Sequence, residues 1–281
     1  MRVKASFSQN DSIRVPRAHN QTVSLHYEST GAGAPVLLVM GLGMNATGWW
    51  RTVPVLGTAG LCVLTFDNRG VGRSDRPAGP YTTAEMADDA IAVLDANAVQ
   101  RTHVYGISLG GMIAQEIALR HPDRIARLVL GATTPGGPSA IPADGETLEF
   151  FQRRGQMPAE EAVWASVPYN YSTRTRAQHG DRIVQDIRQR LRFPIEQEPY
   201  AAQLAAALGH DAYNRLARIR APTLVVHGQE DVMVPPANGR LLANLIPDAR
   251  LLELRGAAHL YPTDEPNADH EIAAFLTASA D

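Results

Sequence analysis

The sequence predicts an α/β protein: a mostly parallel central sheet flanked by helices, with a helical cap inserted into it. Three observations carry that expectation. Short apolar, β-rich runs alternate with amphipathic helical stretches, as parallel strands joined by covering helices should. The alternation stops after Gly131 and resumes near Asp211, and the stretch between has helical but no strand-like patterning. With 281 residues, 44% of them apolar and 20% charged, the chain can bury one large core and still carry an insertion.

In chain order, Gln21 to Tyr27 alternates polar and apolar residues like an early antiparallel strand. Val36-Leu37-Leu38-Val39-Met40 is continuously apolar, which suits a strand covered on both faces. Leu61 to Phe66, His103 to Ile107, Ile125 to Leu130, Thr223 to His227 and Arg250 to Leu254 read the same way. Thr82-Thr83-Ala84-Glu85 is a capping-box pattern that opens a helix, and Ala87, Ala90, Ile91, Leu94 and Ala98 give it one apolar stripe. A second helix runs from Leu109 to Arg120 and stops at His121-Pro122. Leu241, Leu242, Leu245 and Ile246 mark a third, and Ile272, Ala273, Phe275 and Leu276 a fourth. Pro135-Gly136-Gly137-Pro138 opens the insertion, so the expected organisation is a core of residues 1–136 and 211–281 with a cap of residues 137–210. The cap's aromatics should divide between a small core of its own and a pocket lining, with Phe151 and Trp164 as pocket candidates.

Composition excludes several kinds of function. A formal charge of -3 gives no electrostatic footprint for nucleic acid or an anionic membrane. Cys62 is the single cysteine, so no internal disulfide or thiolate metal cluster can form, and its apolar surroundings suit an inert thiol. Met1 to Asn10 has no apolar stretch of the kind a secretory signal needs. The run near Pro35 to Met40 is far shorter than the roughly 20 residues of a membrane helix. A soluble, cytoplasmic protein is expected. Lys4 is the single lysine, which argues against Schiff-base chemistry, pyridoxal phosphate attachment and a phosphate-binding P-loop. No histidine or carboxylate grouping has zinc spacing, so neither cofactor nor metal is expected.

Gly106-Ile107-Ser108-Leu109-Gly110 lies between an apolar strand and a helix. A serine on so sharp a turn needs neighbours without bulky side chains, and Gly106, Gly110 and Gly111 supply that room. The turn lifts the Ser108 hydroxyl above the carboxyl edge of the sheet. There it sits beside a helix N-terminus, whose N–H groups face developing negative charge. Ser108 is the candidate nucleophile.

Together with that elbow, the run Phe66-Asp67-Asn68-Arg69-Gly70-Val71-Gly72-Arg73-Ser74-Asp75 makes the chain from residue 20 onward resemble the α/β-hydrolase family. The resemblance implies that fold, and a structural role for the run, its arginines and aspartates tying it beneath the active-site floor. It also implies the chain order nucleophile, acid, histidine. A serine hydroxyl is a weak nucleophile, so a base must take its proton and a third group must fix the base's tautomer. His259, in Gly256-Ala257-Ala258-His259 directly after strand-like Leu251 to Leu254, is the candidate base, whereas His270 falls inside the final helix. The family carries its acid either after the strand before the cap or after the following strand. Ala132-Thr133-Thr134-Pro135 holds no carboxylate, and His227-Gly228-Gln229-Glu230-Asp231 holds Asp231 at the family's spacing from Gly228. Glu230, its neighbour, is expected to point outward, and His227 to pack beneath the loop.

Acyl transfer builds charge on the carbonyl oxygen, and two preorganised N–H donors usually meet it. The amide of Leu109, directly after the nucleophile, is expected to be one. By resemblance the other is the amide of Leu42, in Met40-Gly41-Leu42-Gly43-Met44. The family commonly has His-Gly where this chain has Met40-Gly41. A main-chain donor survives that change, but the histidine's supporting hydrogen bonds do not. Met44, Trp49, Trp50 and Met112 flank these elements, within reach of an acyl group.

The expected activity is hydrolysis of a carboxylic ester or lactone through an acyl-enzyme, on a small molecule with an apolar acyl or alcohol part. The same residues would also serve thioester, carbon–carbon or amide cleavage or perhydrolysis, and a ligand receptor could keep the fold without turnover. A serine nucleophile separates the chain from the fold's dehalogenases and epoxide hydrolases, which attack with an aspartate.

Overall fold

A computed structural model describes residues 16–278. Lys4 and the stretch Met1 to Asn10 lie outside that range. Eight strands form one sheet: β1 (Arg17–Asn20), β2 (Val23–Thr30), β3 (Ala34–Val39), β4 (Leu61–Phe66), β5 (Thr102–Ile107), β6 (Ile125–Gly131), β7 (Thr223–Gly228) and β8 (Ala249–Leu254). Their order is β1-β2-β4-β3-β5-β6-β7-β8. β2 runs antiparallel to both of its neighbours, and every other pairing is parallel. β1, with four residues, is too short to show a period, and the sequence reading passed over it.

Alternate residues of each strand feed opposite faces. On one face Leu37, Val39, Phe66 and Val104 pack with Ile91 and Leu94 of the helix Thr83–Ala96 and Ile113 and Ile117 of the helix Leu109–Arg120. On the other, Val36, Leu38, Val63 and Tyr105 pack with Leu56 of the helix Thr52–Thr58 and Ile272 and Phe275 of the helix Ala268–Thr277. Two layers of helix over a central sheet explain why β5 is buried at every residue, and why its sequence reads apolar without alternation. The capping box is present as read, the Thr82 side chain accepting from the Glu85 amide and Glu85 reaching back to the Thr82 amide. The third helix read from sequence is Ala237–Leu245, which ends one residue before Ile246.

Six α-helices separate β6 from β7, Gly145–Arg154, Ala159–Ala165, Val167–Asn170, Thr173–Gln178, Gly180–Arg190 and Gln197–Leu208, and a 3-10 helix, Tyr213–Arg218, follows them. A single antiparallel bridge between Gly136 and Asp211 draws the two ends of this segment together. Val163, Tyr171, Ile183 and Ile187 form a small core within it, and Phe150 stacks on Tyr169 with ring centroids 4.1 Å apart.

The base of the fold holds a buried carboxyl that matters for stability. Burial pushes Asp269 up to about 6, against the pull of the Thr52 hydroxyl, which donates to it at 2.7 Å, and of His270. Between the ordinary value of 3.8 and that value, the native state keeps a proton that the unfolded chain has released. Stability therefore falls as pH rises through this window. The loss attributable to Asp269 is about 1–3 kcal/mol. In urea unfolding from pH 4 to 7, Asp269→Asn should show a flatter fall than the parent; identical slopes would contradict the assignment.

Candidate active site

Between β5 and the helix Leu109–Arg120, Ser108 adopts φ 58° and ψ -122°. This left-handed conformation strains a residue with a Cβ and costs about 1–3 kcal/mol. Close packing over-determines it. A Cβ on Gly106 would run into the Gly110 carbonyl, one on Gly110 into the Val39 carbonyl, and one on Gly111 into the Thr133 side chain. The Ser108 amide donates to the Gly131 carbonyl at 2.8 Å, and the Thr133 hydroxyl donates to the Ser108 carbonyl at 2.7 Å. The room expected of the three glycines is thus used by backbone at Gly106 and Gly110 and by the Thr133 side chain at Gly111. Among the described residues the Ser108 hydroxyl has no side-chain hydrogen bond; it faces a cavity.

His259 lines the same cavity. Its Nδ1 lies 2.8 Å from Asp231 Oδ2. Because an ionised carboxylate can only accept, Nδ1 carries the proton and Nε2 keeps its lone pair. The Asp231 Oδ1 accepts from the amides of Met233 and Val234, both at 2.9 Å. Burial pushes the Asp231 carboxyl up, but His259 and His227 outweigh it through charge and hydrogen bonding, holding it down at about 2. Glu230 is exposed, and its carboxylate accepts from the Thr173 amide at 3.0 Å, turned away from His259. His227 is fully buried beneath the loop, its Nε2 donating to the Val234 carbonyl at 2.8 Å. His270 is exposed on its helix. His210 also lines the cavity, but Thr83 Oγ1 at 3.1 Å and Gln115 Oε1 at 3.3 Å occupy both of its ring nitrogens. Burial also lowers it to about 4, so it stays neutral, and its one ring lone pair is engaged by the Thr83 hydroxyl while its N–H donates to Gln115.

Leu42 and Leu109 line the cavity beside Ser108. Leu109 is the first residue of its helix, where an N–H has no intrahelical acceptor. Neither amide takes a backbone acceptor among the described residues. Support for the Leu42 loop, which the absent family histidine leaves open, comes from elsewhere. Asn68 Nδ2 donates to the Met40 carbonyl at 3.0 Å. The fully buried Gln203 accepts from the Gly43 amide at 2.9 Å and donates to the Arg69 carbonyl at 2.8 Å. The run from Phe66 to Asp75 makes the kind of ties expected of it. Asp67 accepts from the amides of Ala46 and Arg73 at 2.8 Å, and Arg69 grips Asp89 with two bonds of 2.6 and 2.8 Å.

The cavity measures about 390 Å³. Met44 and Met112 form part of its wall, whereas Trp49 packs on Tyr105 in the core and Trp50 donates to Asp186 at 3.0 Å. Of the two aromatic pocket candidates Phe151 lines the cavity. Trp164 does not: it is 47% exposed on a short helix whose buried side carries Ala162 and Val163. Sequence reasoning missed Gln203, Arg154, Arg190 and His210 as wall or support residues. Each stands in or at the end of the insertion, where no motif fixes which face meets the core.

The Gln203 contact has a direct consequence. Gln203→Leu would leave the Gly43 N–H and Arg69 C=O buried without partners, at about 1–3 kcal/mol each. Urea unfolding should show a correspondingly lower midpoint; an unchanged midpoint would mean that water replaces the side chain at no cost.

This arrangement has relatives. The model of the family described as the alpha/beta hydrolase fold matches residues 34–266. A protein of Azorhizobium caulinodans, provisionally named as the carbamate hydrolase RutD, is 34% identical over 262 residues, which cover 92% of this chain and 96% of that one. The rhodomycin D methylesterase DnrP of Streptomyces peucetius is 31% identical over 293 residues, covering 92% of this chain and 95% of its own. The solved enol-lactonase of Burkholderia xenovorans LB400 superposes with a TM-score of 0.84 at 26% identity, over 94% of this chain and 100% of that one. With a family match over most of its length and a strained serine after β5 of such a sheet, the chain belongs to the α/β-hydrolase fold family.

Proposed function

We propose that this hydrolase cleaves a carboxylic ester or lactone through an acyl-enzyme, with Ser108 as nucleophile, His259 as base and Asp231 as the carboxylate behind it. One observation carries the reading: a buried carboxylate fixes the tautomer of a histidine that faces the same cavity as a strained, uncommitted serine hydroxyl. Relatives named as a methylesterase and an enol-lactonase support an oxygen leaving group.

The chemistry follows from where protons and charge would go. Ser108 Oγ adds to the carbonyl carbon as its proton passes to His259 Nε2, and the carbonyl oxygen becomes an oxyanion facing the amides of Leu42 and Leu109. Collapse of that intermediate breaks the carbonyl–oxygen bond. The leaving oxygen takes the proton from His259 and departs as the alcohol, or as the hydroxyl of an opened lactone. Water then adds to the acyl-enzyme, giving its proton to His259. The second intermediate releases the acid and returns a proton to Ser108. Asp231, kept ionised by its hydrogen bonds, stabilises the imidazolium formed in each half. The inserted segment 137–210 acts as the cap in this reading. Its residues Ile141, Leu148, Phe151 and Leu204 give the wall opposite Ser108 an apolar character, suited to an apolar acyl or alcohol part.

Ser108→Ala should lower kcat on a short p-nitrophenyl ester by at least about 10³-fold with the melting temperature nearly unchanged. Asp231→Asn should also lower kcat strongly, since the amide can hold His259 in the wrong tautomer, while Glu230→Gln should do little. Activity of Ser108→Ala within tenfold of the parent would end the serine mechanism, and reversed effects at 230 and 231 would reassign the acid.

A further inference from the structure

Two arginines interrupt the apolar wall of the Ser108 cavity. Arg154 and Arg190 both line it, and they are only 6% and 8% exposed. Neither forms an ion pair with any carboxylate among the described residues. Asp186, one turn before Arg190 on the same helix, raises it through charge but makes no ion-pair contact with it, its oxygens accepting from Trp50, Arg51, Tyr171 and Thr263. A guanidinium has five N–H donors. Arg154 has the Tyr200 hydroxyl at 3.4 Å and the Tyr200 ring beneath it at 4.8 Å, and its buried Nε has no partner at all. Arg190 has the Ser166 hydroxyl at 3.3 Å and the Tyr171 hydroxyl beside it.

Each arginine is the last residue of its helix, where the carbonyl ends offer a cation partial compensation. That field does not satisfy the planar donor fork, and two neighbouring cations repel each other. Burial and the charge of Arg154 bring Arg190 down to about 10, so it remains charged at neutral pH. Placing two unpaired guanidinium groups in an apolar chamber is unfavourable for folding unless an anion joins them. Their position is also informative. The Arg154 guanidinium packs against Gly43, beside the Leu42 amide, so it reaches the loop that faces the reacting carbonyl.

We propose that Arg154 and Arg190 are the carboxylate-binding end of this cavity, so that the substrate is an ester or lactone carrying a separate, ionised carboxylate on an apolar body. The inference rests on the reading of Ser108 as nucleophile. A carboxylate offers two oxygens to the guanidinium forks, and its charge would balance what the protein leaves uncompensated. The apolar wall then holds the body of the molecule while the anion fixes its register relative to Ser108.

The test compares p-nitrophenyl monoesters of dicarboxylic acids of six to eight carbons with the same esters bearing a terminal carboxamide. The parent enzyme should favour the carboxylate at least tenfold in kcat/KM, chiefly through KM. Arg154→Gln and Arg190→Gln should each reduce that preference at least tenfold. Equal rates on the two series, or equal losses on both in the variants, would overturn the proposal. Should the variants fail to fold, the parent still decides: the free dicarboxylate should inhibit hydrolysis of a neutral ester competitively, at least tenfold better than the diamide. Equal inhibition by the two would overturn it. A neutral fluorophosphonate probe separates the two layers of the argument. Labelling at Ser108 without carboxylate preference refutes the arginine site alone, whereas neither labelling nor turnover of any ester refutes the serine reading and the substrate class with it.

Discussion

The turn at Ser108 holds a residue with a Cβ at φ 58°, and the rest of the site is arranged around keeping it there. Relaxing the turn would release about 1–3 kcal/mol locally. It would also pull the helix Leu109–Arg120 away from β3 and from the segment that follows β6, because Gly110 lies against the Val39 carbonyl and Gly111 against Thr133. The helix packs on strands at the centre of the sheet, where large buried contacts outweigh the strain. The sheet therefore stores a local distortion that fixes the serine hydroxyl at the carboxyl edge and the Leu109 amide beside it.

Around that fixed point the other loops are held by hydrogen bonds, many of which come from the insertion. Gln203 ties the Leu42 loop through the Gly43 amide. The Asn170 carbonyl accepts from the Leu260 amide, and Asp264 accepts from both Ala258 at 2.7 Å and Ser172 at 3.0 Å, so the loop of His259 is braced from both sides. The Thr173 amide donates to Glu230, next to Asp231. The segment that supplies most of the far wall thus also touches the three other loops that carry candidate site residues. A change of sequence in it would alter pocket shape and loop position together.

The parts legible in the sequence are those fixed by local rules. Six of the expected strands fall within a residue or two of their observed bounds; for five of them burial on both faces leaves an apolar run that needs no tertiary information, and β8 at the sheet edge keeps its apolar residues while only half-buried. Gly106-Ile107-Ser108-Leu109-Gly110 was legible because backbone collisions demand glycine there. Asp231 and His259, singled out through the chain order that the resemblance implies, lie 2.8 Å apart. β1 was missed for its length, and Trp164 was misplaced because an aromatic on a helix of the insertion carries no mark of which side it faces. Gln203, Arg154 and Arg190 were invisible for a related reason. A buried arginine is recognised only when its missing partners can be counted, and that count exists in three dimensions alone.

The central claim is that Ser108 becomes covalently acylated during turnover. Acid quenching during hydrolysis of an aryl ester, followed by proteolysis and mass spectrometry, tests it directly. The account predicts that the peptide carrying Ser108 gains the mass of the acyl group less one hydrogen, and that this peptide is unmodified after the ester is exhausted. Steady turnover with that peptide never modified, under conditions where release of the acid limits the rate, would contradict it.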